Sequence, residues 1–530
     1  MDVCGMKFLE GYSVSAKGFL GQCGAPIMLE HGAMRVFFGI NAGMSTIDDT
    51  SMYVRVTQSN LNTMMNLIRS NKEFDIIKPI LVSSGGTCLV HKLQTVHPKS
   101  GLRTIPTGIG QIYGTVPNQR AHMKASAEKS MIYKDVCKEY PHIQDNFCQP
   151  VLQRGFTDDN EWFDPYLKNV KLCIEPNNMF DSSLMHLCAE SFYNDVTKAV
   201  PLKEFQETVH PLDDVSTLNG AAGIPFIKGI PMGTSAGYPN FGPKRNVMEP
   251  DPHDDWGLPD AVKLTKKVRN TYKRMESEYM KGNTCGPIFK AQLKDEAVKL
   301  SKKYNPRIFA IGSVEFNLLI RKYFLPLARL AQNNSFVFET AIGINCLSKT
   351  EWTNLHNYLM SKSEHNKVDG DFKHYDKDLA AKNFLIAMAF LIALAKYSGN
   401  YSKTDIKVME GLAEDAAFIF LLSDGDLIRL FGGNPSGWPL TALLNSIMNS
   451  LYMRYVWAQF YKLTTFTSFV ALMTYGDDNI MDIAEGKSKF NHTSIKDVLG
   501  KCGIIYTMAD KNAKSVPYIP LSKTSFLKRG

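Results

Sequence analysis

Two aspartates stand side by side in Tyr475-Gly476-Asp477-Asp478-Asn479, between the apolar stretches 469–475 and 479–483. The two stretches read as strands of a hairpin with the acids at its tip. Adjacent carboxylates repel one another unless a cation neutralises them. A few hard oxygen ligands suit Mg²⁺, and Gly476 lets the backbone turn tightly. A solvated surface turn carries the same letters often enough that the five residues do not decide the matter alone.

Two further constellations bear on it. In KVDGDF (367–372) a short strand ends in Asp371, and Asp376 follows five residues later at the start of a helix spanning about 379–396. Asp376 alone would pass as a helix cap. The loop FGGNPSG (431–437) then opens a helix over about 438–455, on which Thr441, Asn445 and Asn449 recur every four residues and share one face. Asn and Thr there, instead of Lys and Glu, suggest that the polar stripe meets a ligand rather than water. A second long helix, basic on its outside, is expected over 261–280.

Composition narrows the class. The 530 residues are 44% hydrophobic and 21% charged, which excludes a disordered or collagen-like chain. The net charge of +8 suits a polyanion-binding groove. None of the ten cysteines forms a C-x-x-C pair, so reduced thiols are expected rather than a zinc site or a disulfide framework. The longest apolar run, 384–395, is too short for a bilayer span of ~18–20 residues and reads as a buried helix.

The order DFKHYD (371–376), GGNPSGWPLTALLNSIMN (432–449) and YGDDN (475–479) resembles motifs A, B and C of picornavirus-like RNA-dependent RNA polymerases. Further elements lie in the family's order: GTSAGYP (233–239), FKAQLKDEAVKL (289–300) with NPRIFAIG (305–312), AIGINCLSKTEW (341–352), GIIYTMADK (503–511) and FLKRG (526–530). The resemblance covers about 80–530 and implies an α+β right hand. Fingers would span about 81–210 and 240–340, an antiparallel palm about 341–530, and the thumb would be largely absent. It implies two Mg²⁺ ions, with Mn²⁺ able to substitute, held by Asp371, Asp477 and Asp478. Asp376 and Asn445 would bond the ribose hydroxyls, with Ser436, Gly437 and Thr441 ordering that network. A site built around a hydroxyl rejects the sugar lacking it. Lys294 and Arg307 would meet the triphosphate, Lys511 would protonate the leaving pyrophosphate, and Lys528 and Arg529 would lie near the primer backbone.

The implied activity is RNA-templated RNA synthesis from ribonucleoside triphosphates, copying a positive-strand viral genome. Implied partners are template and product RNA, a tyrosine-bearing primer peptide and a membrane-associated replication complex in the host cytoplasm. Near the other end, Gly21-Gln22-Cys23-Gly24 and 38–43 resemble the end of a chymotrypsin-like cysteine protease, with Cys23 at the nucleophile position and Asn41 where the family has His. No His precedes Cys23, so residues 1–46 are expected to be an inert remnant. Residues 47–80 would be a linker with Gln58/Ser59 as a processing point, and a chain without a thumb should extend primers poorly. A reverse transcriptase, a non-catalytic RNA-binding scaffold and a protease are the alternatives. The first would want a bulky residue against the 2′-hydroxyl, the second a lost acid, and the third a base.

Overall fold

The computed structural model describes residues 125–529, except 144–145, 175–178 and 512, together with strand backbones between 2 and 55 and short pieces between 77 and 119. Contacts divide the chain into two units, residues 1–75 with 106–108, and residues 76–105 with 109–530.

The first unit holds an antiparallel sheet of β1 (Gly11–Val14), β2 (Pro26–His31), β3 (Met34–Met44) and β4 (Ser51–Arg55), in the order β1-β4-β3-β2. Its β character agrees with the sequence reading, and the division between the two units falls within the 47–80 stretch read as the boundary. Strand β4 pairs on both sides, with β1 and β3, so the sheet runs through Arg55. Cys23 and Gln58/Ser59 lie outside the described residues.

In the second unit, five strands form a mixed sheet. They are β5 (Gln111–Thr115), β6 (Ile288–Leu293), β7 (Ile308–Ile311) and two strands at 420–429. Strand β8 is Lys367–Phe372, the span expected from KVDGDF. The pair at 420–429 is β9 (Phe420–Ser423) and β10 (Asp426–Arg429), and the sheet order is β7-β6-β9-β10-β5. β9 runs parallel to β6, with Ile288 opposite Phe420. The expected palm range of 341–530 is therefore interrupted: residues 420–429 join the strands expected of the fingers.

The palm sheet is antiparallel throughout. It places β11 (Val470–Tyr475), β12 (Asp478–Ile483), β8 and β13 (Tyr506–Thr507) side by side in that order. The helices of this unit include α1 (Ser182–Ala199), α2 (Lys266–Lys281), α3 (Val314–Asn333), α4 (Tyr375–Asp378), α5 (Ala381–Ser398), α6 (Lys403–Ala417), α7 (Thr441–Ala458) and α8 (His492–Lys501), of which α7 and α8 pack on the palm sheet. α2 starts later than expected because 262–264 form a strand first. α5 is apolar almost all round and long enough by composition to cross a bilayer, yet 83% of it is buried within the protein. That is the signature of a core helix. Phe192 of α1 stacks on its Phe390, 4.8 Å between ring centroids.

Candidate active site

The site begins with the register of β8 against β12. Lys367 faces Asp482 across the ladder, and their side chains, both fully buried, meet at 2.8 Å. Ser363 Oγ also donates to Asp482 (2.7 Å), so the buried pair is hydrogen-bonded as well as neutral. From this anchor the ladder reaches Gly370 opposite Asn479. Asp371 is the next residue on β8 and Asp478 the next on β12, and the Asp371 charge acts on both Asp477 and Asp478. Tyr475 pairs with Asp478, leaving Gly476 and Asp477 as a two-residue turn with Gly476 at φ 65°. The three aspartates expected to converge are thus brought to one end of the sheet.

Amides beneath the turn hold it. Asn449 of α7 is fully buried and its Nδ2 donates to the carbonyls of Gly476, Asp477 and Asp478 at 3.1–3.4 Å. The Gly476 N–H donates to Ser446 Oγ. Asn479 Nδ2 donates to Asn449 Oδ1 (3.2 Å), and Tyr506 of β13 donates its hydroxyl to Asn479 Oδ1 (2.8 Å). Helix, hairpin and outer strand therefore share one polar chain. This corrects the sequence reading of the 441/445/449 stripe: Asn449 faces the acidic turn, and Thr441 Oγ1 donates to the Pro435 carbonyl (2.7 Å).

The carboxylates are electrostatically crowded. Asp477 is pushed up to about 6, by burial of its carboxyl and then by the Asp371 charge, although the residue sits at an exposed tip. Asp478 is raised by the same two causes, while Lys511 and Lys528 oppose the shift. Asp371 Oδ1 is buried without a partner, and Asp371 Oδ2 meets Lys511 Nζ at 2.6 Å. Among the described residues no three acidic, His or Cys side chains are already closed into a ligand cage. The fit to a divalent cation is one of chemistry: hard, mutually repelling oxygens, one of them orphaned.

Beside the acids, Asn445 Nδ2 donates to Asp376 Oδ1. Asp376 is raised by burial, while its bond from Asn445 and the charges of Lys294, Lys377 and Arg307 pull the other way. Ser436 Oγ accepts from the Ala310 N–H of β7 (3.3 Å). Gly437 lies so close to that strand that a Cβ would fall 2.3 Å from the Ala310 carbonyl, which explains the glycine. Lys294 and Arg307 are held together by the Lys294 N–H to Arg307 carbonyl bond (2.8 Å). The Arg307 guanidinium is not free, since Glu296 takes it at 2.6 Å. Lys528 reaches the site electrostatically through Asp478. Arg529 turns instead to the Trp352 ring (5.8 Å) and Cys346 Sγ (3.6 Å), away from the acids.

Sequence reasoning assigned no part to Asn434, Trp438, Asn479 and Tyr506. The signal for Asn479 was present: an amide directly after the acidic pair, at the start of a largely buried strand. Nothing in the sequence marks Tyr506, because its partner lies 27 residues away on another strand.

Strand-borne acids opposite a hairpin tip, with an Asp–Asn pair beside them, define a palm-type nucleotidyl-transfer site. The chain matches the family model for viral RNA-dependent RNA polymerase over residues 175–530, and it belongs to that family. It is 28% identical over 400 residues to the RNA1 polyprotein of Cherry rasp leaf virus (isolate Potato/United States), covering 70% of this chain and 17% of that protein. It is 28% identical over 411 residues to the replicase polyprotein of Cricket paralysis virus, covering 71% and 22%. The chain thus spans about a fifth of these curated relatives. The Sicinivirus 3Dpol RNA-dependent RNA polymerase has the same fold, with TM-score 0.62 at 17% identity, covering 79% of this chain and 81% of that one.

Proposed function

We propose that this chain extends a primer 3′-hydroxyl with ribonucleotides on an RNA template, copying a positive-strand viral genome. The observation that carries the reading is the register that sets Asp371 beside the Asp477–Asp478 turn. Asp371, Asp477 and Asp478 would hold two Mg²⁺ ions. When bound, such ions activate the attacking hydroxyl and neutralise the triphosphate and its leaving group. Asp376, with its buried carboxyl and its bond from Asn445, accepts a ribose hydroxyl. Lys294 offers positive charge to the triphosphate beside Asp376. Lys511, at the rim of the acids, supplies the proton taken by pyrophosphate.

A peptide primer, a membrane-associated replication complex and a host-cytoplasmic location complete the proposal, and they rest on the family resemblance. The same holds for the N-terminal sheet as the tail of a chymotrypsin-like protease. The test is primer extension on an RNA template with Asp477→Ala against the parent chain. Loss of at least about a thousandfold in rate with unchanged melting is expected, since a metal ligand is removed. Residual synthesis within tenfold of the parent would overturn the metal role.

A further inference from the structure

Asn445 can serve a ribose only if its amide points the right way round. An Asn side chain has an NH₂ donor end and a carbonyl acceptor end of nearly the same shape, so its direction is set by its neighbours. Asn445 Nδ2 faces Asp376, so its Oδ1 must face a donor. That donor is Asn434 Nδ2, at 2.7 Å, which also reaches the Thr441 carbonyl at 3.1 Å. Asn434 could itself be reversed, and its Oδ1 is pinned by the Trp438 indole N–H at 2.9 Å. An indole nitrogen donates and never accepts. One donor-only group therefore fixes the direction of every bond in the series Trp438 to Asn434 to Asn445 to Asp376.

The series is shielded and anchored. Trp438, Asn434 and Asn445 are 5–6% exposed, so water does not compete for their bonds. The Trp438 ring stacks on Phe384 of α5, 5.7 Å between centroids and 24° between planes. The Asn434 N–H donates to the Asp376 carbonyl (2.7 Å), tying loop and acid together by backbone as well. At the end of the series Asp376 Oδ1 is occupied by Asn445, and among the described residues Oδ2 has no hydrogen-bond partner.

We propose that Trp438 and Asn434 are positioning residues for sugar selection: the indole N–H orients both amides so that Asp376 Oδ2 and the Asn445 NH₂ are presented together to the 2′- and 3′-hydroxyls of the incoming nucleotide. This rests on the ribose-facing reading of Asp376 and Asn445 given above. It adds that the direction of that pair is imposed from the buried side of the loop, by residues that touch no substrate.

The test uses the full chain on a primed RNA template and reads the ratio of kcat/KM for GTP to that for 2′-deoxy-GTP. Within one preparation this ratio is independent of the fraction correctly folded. Trp438→Phe keeps an aromatic ring on Phe384 and deletes the donor. The ratio should fall about three- to tenfold, the worth of one hydrogen bond, with most of the loss in the ribonucleotide arm. Asn434→Asp places an acceptor against Asn445 Oδ1, favours the reversed amide, and should lower the ratio further. Where a variant yields no product, competition of GTP and 2′-deoxy-GTP against a fluorescent ribonucleotide reads the ratio of their affinities, which should fall in the same direction. A ratio within twofold of the parent in both variants would overturn the proposal, whatever happens to overall rate. A parent chain that binds neither nucleotide in that competition would instead overturn the proposed function.

Discussion

Gly370 shows how closely single residues are drawn around the acids. A Cβ built there would lie 1.9 Å from the Tyr506 hydroxyl oxygen and 2.1 Å from its ring. The Tyr506 ring is fixed in turn by its bond to Asn479 and by stacking on His492, 4.9 Å between centroids. Neither the backbone nor the ring has room to yield. We expect Gly370→Ala to cost at least about 2 kcal/mol, at the upper end for an overpacked site, and to lower the synthesis rate. Urea unfolding with a primer-extension assay checks both, and a variant as stable and active as the parent would refute the collision. Tyr506→Phe keeps the ring and deletes the bond, so about 1 kcal/mol is expected. Asp371, Asp477 and Asp478 were legible in the sequence because acids between apolar strands are conspicuous. Asn449 was visible as part of a polar stripe, but a stripe shows which face is polar and not what that face meets.

Among the elements, α7 is fastened to the hairpin by an ion pair at its far end. Arg454 is fully buried between the rings of Phe192 (4.2 Å) and Phe466 (4.5 Å), and its guanidinium grips Glu339 at 2.6 and 2.8 Å and Asp195 at 3.0 Å. The Glu339 carbonyl accepts both the N–H (2.9 Å) and the hydroxyl (2.6 Å) of Thr474, the residue before Tyr475. The helix carrying Asn445 and Asn449 and the strand carrying the acidic turn thus share one charged clasp. Arg454→Met strands Glu339 in the interior, and a loss of about 3–5 kcal/mol is expected. Adding Glu339→Gln should cost far less than the two changes summed, because the orphaned charge is gone. Additive losses in urea unfolding would show that the pair is not coupled. The strands and helices around the three motifs were readable, and β8 was read to the residue. The start of α7 was read three residues early, because the loop up to Leu440 is held by the Trp438 indole and Pro439, a tertiary effect that periodicity does not carry.

For the molecule as a whole, the excess of 60 Lys and Arg over 52 Asp and Glu is too small to mark a binding surface by itself. What it predicts is salt sensitivity. Raising salt from 50 to 200 mM should weaken binding of a single-stranded RNA about tenfold or more, the response of a few phosphate contacts. Filter-binding titrations read the slope, and a flat response would argue against a phosphate-binding groove. Division of the chain into an N-terminal β sheet and a larger α+β unit was legible from composition. The boundary was legible only as the stretch 47–80, because β4 is joined to its sheet by pairing that spans the apparent change in character.

The strand that carries Asp371 also fixes when its sheet can be completed. Its outer edge is filled by β13, where Thr507 Oγ1 donates to the Asp371 carbonyl across 136 residues of chain. At roughly 5–20 residues per second, a ribosome reaches that partner roughly 7–27 s after it has made Asp371. Until then the outer edge of the strand that carries Asp371 has no partner, so the acid cluster cannot be held as the folded chain holds it.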